Sequence, residues 1–421
     1  MQKNESICYY LNNNTGHIAL YGSCSDYLSF NGKISSQKIV NSNIENLIIS
    51  LCLIEPGSWR FSDTITTDFL IDSIKYCKES KIFPNLKNIY IFYNDSRPCN
   101  IPDTLLGYRV ELVFFPFFLM RSCLIEDYYN VVDWERGNKK GVFIMGALDR
   151  LNRFPVLYEF YINNKVELLD YSCYINYYGD ERTNNIPEDF FYDDMDKAPF
   201  YTAHWQYYMN GYDTNREELI QCYKKLTKQL DSEKFLNSGM DIFNRSATIV
   251  PEEWKDASLV LISETLYSLI ESIGITSEYN SDAAEFTEKT WRPIATKKPF
   301  VTCSENDWVY KKLEKLGFKT FLEYTSHPEK VEISHYGELS AKHHAELTYK
   351  RVSSFLENLD KNKTDIARDV EHNHSHWKHL RELFWEKLYS QCPPLSTIKK
   401  SQVLAIFNQG GSDTLEFDIN N

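Results

Sequence analysis

The chain has 421 residues, 43% of them hydrophobic and 25% charged, with 29 Tyr, 25 Phe and 8 Trp. That composition excludes intrinsic disorder, and the length corresponds to two or three domains at roughly 150 residues each. A formal charge of −13 argues against general affinity for nucleic acid or anionic membrane, leaving a local basic groove as the only route to a polyanion.

No stretch approaches the ~18 uninterrupted apolar residues that span a bilayer. The start, "MQKNESICYYLNNN", lacks the apolar core of a secretory signal. Ten cysteines, scattered from Cys8 to Cys392, form no CxxC pair. These features predict a cytoplasmic protein with reduced, buried thiols and no membrane partner.

The first third reads as alternating strands and helices. "HIALYG" (His17–Gly22) and "NLIISLCLI" (Asn46–Ile54) are apolar runs of strand length. Ile65, Phe69, Leu70, Ile74 and Cys77 then recur at helical spacing between Asp63 and Glu79. "NIYIFY" (Asn88–Tyr93) and "VELVFF" (Val110–Phe115) return to strand composition, an order that predicts a parallel sheet flanked by helices. The polar stretch "DWERGNKK" (Asp133–Lys140) marks a boundary before a fresh strand, "GVFIMG" (Gly141–Gly146).

The acidic, aromatic segment Asp170–Asp213 has poor periodicity and reads as a long excursion. Regular structure resumes with a helix near Arg216–Asp231 and a strand "ASLVLIS" (Ala257–Ser263). A helix follows in "TEKTWRP", then a strand "FVTC" (Phe300–Cys303) and a helix "NDWVYKKLEKL" ending at Gly317, a good C-cap residue. From about Leu339 the chain is helical, with Leu339, Val352, Phe355, Leu356 and Leu359 spaced for one face. A second helix over roughly Lys363–Tyr389 stops before Pro393 and Pro394. The domain reading is 1–138 and 139–330, both Rossmann-like, followed by a helical segment over 331–421 that packs back on them.

Chemistry concentrates in "EFTEKTWRP". Thr287 suits an N-cap, which makes Glu288 and Lys289 the first helical residues. Free backbone N–H groups and the positive end of the helix dipole favour an anion there. Lys289 would add a full charge toward a diphosphate, and Glu288 could accept hydrogen bonds from ribose or sugar hydroxyls. The plainer alternative is that Glu288 complements the dipole and Lys289 is solvated. Glu264 ends the preceding strand, and ligands of open α/β sheets bind at carboxyl ends of strands.

The run Glu252–Phe321 resembles glycosyltransferase-like proteins of bacteriophages and large DNA viruses. Four pieces carry the likeness: Ser263-Glu264-Thr265, Thr287 to Ile294, Pro299-Phe300, and Leu316 to Phe321. The "TEK" core is also similar to the donor motif of fucosyltransferases, where Leu-Trp follows in place of Thr-Trp. "VFIMGALDRLNRFPVLYEFY" (Val142–Tyr161) resembles the strand, basic loop and helix that open the donor domain of such proteins, with Arg150 and Arg153 at the R-x-x-R spacing and Asn152 where a His is customary. "VEHNHSHWKHL" (Val370–Leu380) resembles their late Asn-aromatic helix.

The resemblance implies an α/β protein of GT-B type: two Rossmann-like domains facing a cleft, with a C-terminal helical segment. It implies an enzyme that moves a hexosyl or pentosyl group from a nucleoside-diphosphate sugar to an acceptor hydroxyl. Arg150, Arg153 and Lys289 would grip the diphosphate, and Glu264 and Glu288 the ribose or sugar. No cofactor is expected beyond the nucleotide sugar as co-substrate, and no metal is required. The acceptor is either a hydroxymethylated pyrimidine in phage DNA, a DNA modification, or a glycan or protein hydroxyl. An inverting transfer needs a carboxylate base; Glu55 and Asp26 are the catalytic candidates, with Asp95 a third. The rival reading is a GT-B-like viral protein that binds or builds without turnover. His372, His376 and His379 share a helical face opposite His374, and a polar face is the expectation there rather than zinc.

Overall fold

The computed structural model describes residues 8–12, 15–19, 43–50, 83–93, 102–114, 139–145, 154–172, 211–229, 257–262, 288–302, 307–330 and 341–400, with isolated positions between these ranges. They divide between two compact units.

The first unit holds a sheet of β1 (Cys8–Asn12), β2 (Thr15–Ala19), β3 (Asn46–Ser50), β4 (Asn88–Tyr93), β5 (Thr104–Leu105) and β6 (Tyr108–Phe114), ordered β1-β2-β3-β4-β6-β5. Strands β2, β3, β4 and β6 are parallel, and each edge is closed by an antiparallel neighbour. Leu47, Ile48 and Ile49 of β3 and Ile89, Tyr90, Ile91 and Phe92 of β4 are all buried. Both faces of these strands are therefore covered, as unbroken apolar runs require. The β5–β6 hairpin turns on Leu106 and Gly107, both at positive φ (54° and 88°), the two-residue turn whose twist matches the strands. Ile74 is helical and buried, at a position the sequence assigns to a helix.

The second unit holds β7 (Lys139–Met145), β8 (Leu169–Ser172), β9 (Ala257–Ile262) and β10 (Phe300–Thr302), ordered β10-β9-β7-β8 and parallel throughout. Every residue of β9 and β10 is buried. Its helices are α1 (Phe154–Ile162), α2 (Arg216–Gln229), α3 (Glu288–Ala295), α4 (Trp308–Lys315) and α5 (Ala341–Glu357), joined by α6 (Leu359–Gln391) as far as His379. Residues of α6 from Leu380 onward group with the first unit. Helix α1 buries seven consecutive residues, Phe154 through Phe160, and is covered partly by α5, where Phe160 and Tyr349 meet edge-on at 5.0 Å.

One sequence expectation changes. Asp170 to Ser172, the head of the segment read as an excursion, belongs to β8. Met209 and Tyr212, near its end, are buried and half-buried, and Tyr212 packs edge-on against Tyr158 of α1 at 5.2 Å. No described helix is long and apolar enough to cross a membrane.

Candidate functional site

Strand order sets the location. From β7 the chain passes through α1 to β8 on one side, while β9 lies on the other side of β7 and leads through α3 to β10. Connections leaving β7 and β9 thus diverge from adjacent parallel strands. Such a switch point opens a crevice at the carboxyl ends of the strands, where open α/β sheets bind ligands. Arg150 and Arg153 fall in the connection after β7, and Glu264 directly after β9. These three lie outside the described residues, as do Asp26, Glu55 and Asp95 in the first third of the chain.

Helix α3 starts at Glu288, where the sequence places a helix start. Lys289 is half-buried, and every residue from Thr290 to Thr296 is buried. Pro293 has no N–H, so the Lys289 carbonyl receives no helical hydrogen bond from it. The far end closes tightly: the Thr296 hydroxyl donates to the Arg292 carbonyl at 2.7 Å, and the Lys298 N–H donates to the Pro293 carbonyl at 2.8 Å.

The motif aromatics anchor this helix. The Trp291 ring meets Phe286 at 5.5 Å and Phe318 at 5.8 Å, both edge-on, and its indole N–H donates to the Phe286 carbonyl at 3.1 Å. Phe300 and Phe321 meet edge-on at 5.2 Å. The piece "LGF-K-T-F" therefore packs against "TW" through Phe318 and against "PF" through Phe321, and these rings have a structural task. Glu371 of α6 pairs with Lys297 at 2.6 Å, which ties the end of α3 to the long helix.

The histidines of α6 also turn out to be structural. His372 and His376 place Nε2 at 3.0 Å and 2.6 Å from the Gly317 and Leu316 carbonyls, capping the end of α4. His374, on the face opposite them, is buried beside Trp377. Asn373 accepts from the Lys319 N–H at 2.7 Å and donates to its carbonyl at 2.9 Å. A side-chain amide that pairs both groups of one peptide position fixes the "LGFKTF" segment on α6. Among the described residues no cluster of His, Cys, Asp or Glu is arranged to hold a metal.

Beyond β10 a polar cluster fixes the start of α4. Asp307 takes both terminal nitrogens of Arg351 at 2.8 Å, with both side chains buried. Arg351 also donates to the carbonyls of His327 at 3.1 Å and Glu329 at 2.7 Å. Tyr310 lies 5.5 Å from the guanidinium and accepts from the Thr302 N–H at 2.7 Å; burial pushes its phenol up to about 12. The buried carboxylate of Glu159 accepts from the Tyr212 hydroxyl at 2.6 Å, and burial raises its pKa. It sits in the second half of α1, which runs away from the carboxyl ends of the strands, so its role is in packing.

Sequence reasoning passes over Arg292. It is 3% exposed, and neither Nε nor Nη2 has a hydrogen-bond partner among the described residues. The available signal is a permanent cation whose neighbours from Thr290 to Thr296 are all buried. No protein-family model, curated protein or solved structure matches this chain.

Proposed function

We propose that this chain is a glycosyltransferase of GT-B type that moves a sugar from a nucleoside-diphosphate donor to an acceptor hydroxyl. The observation that carries the reading is positional. The two basic and acidic motifs of the sequence follow the carboxyl ends of β7 and β9, on either side of the topological switch, and the second ends at the start of α3. A diphosphate suits cations gathered at a helix start in a parallel α/β sheet.

In this reading Lys289, Arg150 and Arg153 neutralise the charge that grows on the departing diphosphate as the sugar C1–O bond breaks. Glu264 and Glu288 hold ribose or sugar hydroxyls. The acceptor oxygen bonds to C1 as its proton passes to a carboxylate, for which Glu55 and Asp26 are proposed. No metal or organic cofactor is required beyond the donor. The acceptor is a hydroxymethylated pyrimidine of phage DNA or a glycan or protein hydroxyl. With a net charge of −13, a DNA acceptor would have to be held by a local basic groove.

Titration calorimetry with uridine, guanosine, adenosine, cytidine and thymidine diphosphates and their sugars tests the reading. One nucleotide should bind, and Lys289→Ala should weaken it roughly tenfold or more, the loss of one charge-assisted contact. Absence of binding across the series would sink the proposal.

A further inference from the structure

We propose that the segment Leu380–Lys400 is a strap that closes the core of the first unit, so that this unit completes its fold after the second, against the order of the chain. The segment groups with the first unit, although β7 to β10 all stand between it and β6 in the sequence. Its residues are spaced for one apolar face. Trp385, Leu388, Cys392 and Leu395 follow at steps of three, four and three, and all four are buried. A 3-10 turn over Pro393–Thr397 ends the helical run and leads to Ile398, also buried. Lys400 then pairs with Glu382 and lies 5.5 Å from the Trp385 ring, which folds the segment back on itself.

The strap meets one row of the first sheet. Tyr90 of β4 stands opposite Ile48 of β3 and Glu111 of β6, so the three share a face. Burial raises the pKa of the Tyr90 phenol, and Cys392 and then Glu111 add to the rise. Burial likewise pushes the Cys392 thiol up, with Glu111 adding to it. Such influences fade within about 10 Å, which sets Cys392 on the Tyr90 side of the sheet. Ile48 and Tyr90 are both buried. A parallel sheet needs cover on both faces, and at Tyr90 the strap supplies part of it.

The second unit needs nothing from this segment, because all of its residues precede Leu380. Units of one chain ordinarily fold in order of synthesis, the N-terminal one first. Here β1 to β6 come first in the chain, but the cover for β4 comes after α6 has begun. Contacts so distant in sequence close late, since the entropy of closing the intervening loop opposes them until they form. A chain stopped short of Leu380 therefore holds a complete second unit and an open first one. The strap has no part in the donor-site reading, so either can fail without the other.

Two buried free thiols report on the units separately: Cys392 in the strap and Cys222 on α2. Thiol labelling, resolved to each cysteine by peptide mass spectrometry, is measured with amide hydrogen exchange on the full chain, for wild type, Trp385→Ala and Leu388→Val. In wild type under rising denaturant, Cys392 and the amides of β3 and β4 should open together, at lower denaturant than Cys222 and β9. Trp385→Ala should speed both first-unit signals by roughly a hundredfold or more, and Leu388→Val by about fivefold. Cys222 and β9 should stay within about twofold of wild type. On refolding, β9 amides should gain protection before those of β4. Faster labelling of Cys392 with β3 and β4 unchanged would overturn the proposal, because the segment would then be an appendage. Equal loosening of β4 and β9 would also overturn it, in favour of one cooperative structure. Protection of β4 ahead of β9 during refolding would do the same. If Trp385→Ala does not stay folded, the milder Leu388→Val and the wild-type series decide by the same criteria.

Discussion

Asp307→Ala removes the carboxylate from the Arg351 fork and leaves a guanidinium buried with two of its contacts gone. Both lost bonds are 2.8 Å long, and the partners' side chains are 2% and 3% exposed, so water cannot replace the carboxylate without opening the fold. Breaking a buried pair from one side costs about 3–5 kcal/mol, most of it from the charge left behind. In a unit of this size each kcal/mol moves the midpoint by roughly 2–4 °C, so the expected loss is on the order of 10 °C. Arg351→Met should cost a similar amount, because it strands Asp307 and frees the carbonyls of His327 and Glu329. The double variant leaves no unpaired charge. It should lie at least about 2 kcal/mol above the sum of the singles in stability. Denaturant melts followed by tryptophan fluorescence read all four proteins. A single-variant cost below about 1 kcal/mol, or strict additivity in the cycle, would refute the claim that this pair is desolvated and mutually dependent.

The same neighbourhood predicts a pH response. His344 is buried with Nε2 unbonded among the described residues, and its pKa is lowered to about 4, first by burial and then by the nearby charges of His343 and Arg351, against the opposing pull of Asp307. The unfolded chain takes up this proton near pH 6.5, the fold only near 4. Stability should therefore be full above about pH 6.5 and decline as pH falls toward 4, by about 3 kcal/mol in total. His344→Leu should lack that share of the decline in denaturant melts across the window; parallel curves for the two proteins would show that the imidazole is not held neutral. At the end of α4, Gly317 has φ +94°, and an added Cβ would come within 2.7 Å of the His376 ring. Gly317→Ala should cost on the order of 2 kcal/mol, from backbone strain plus displacement of the cap on Leu316. A thermal midpoint equal to wild type would remove the capping role given to His376.

Long runs with a clear period are the part of this fold that sequence exposes. "NIYIFY" is β4 residue for residue, "ASLVLI" is β9, and the spacing of Val352, Phe355, Leu356 and Leu359 marks a face that is buried. Short elements escape: β8 has four residues and opens an acidic segment, and β5 has two. Nothing in a single sequence says that His372 and His376 reach carbonyls more than fifty positions away, or that Asn373 clamps Lys319. Those roles exist only once α6 lies against α4. Arg292 escapes for a different reason. Arginine is ordinarily a surface residue, and only the folded structure shows this one to be buried.

This bears on how a motif such as "TEKTWRPI" is read. Its residues divide into two physical classes that sequence likeness alone merges. Trp291 and Ile294 are buried, and Trp291 joins Phe286 and Phe318 in the cluster that holds α3 in place. Lys289 and Arg292 carry charge on the same helix. A cation gripping a phosphate must be positioned within a fraction of an ångström, and such precision comes from side chains locked by packing behind it. On the proposed donor-site reading, the apolar half of the motif is what would hold the polar half in position. Substitutions at Trp291 and at Lys289 should separate if the proposed donor site holds: Trp291→Ala loosens the helix and lowers stability with or without nucleotide, whereas Lys289→Ala weakens nucleotide binding with a smaller effect on the melting midpoint. That separation, rather than the motif itself, distinguishes a binding helix from a buried one.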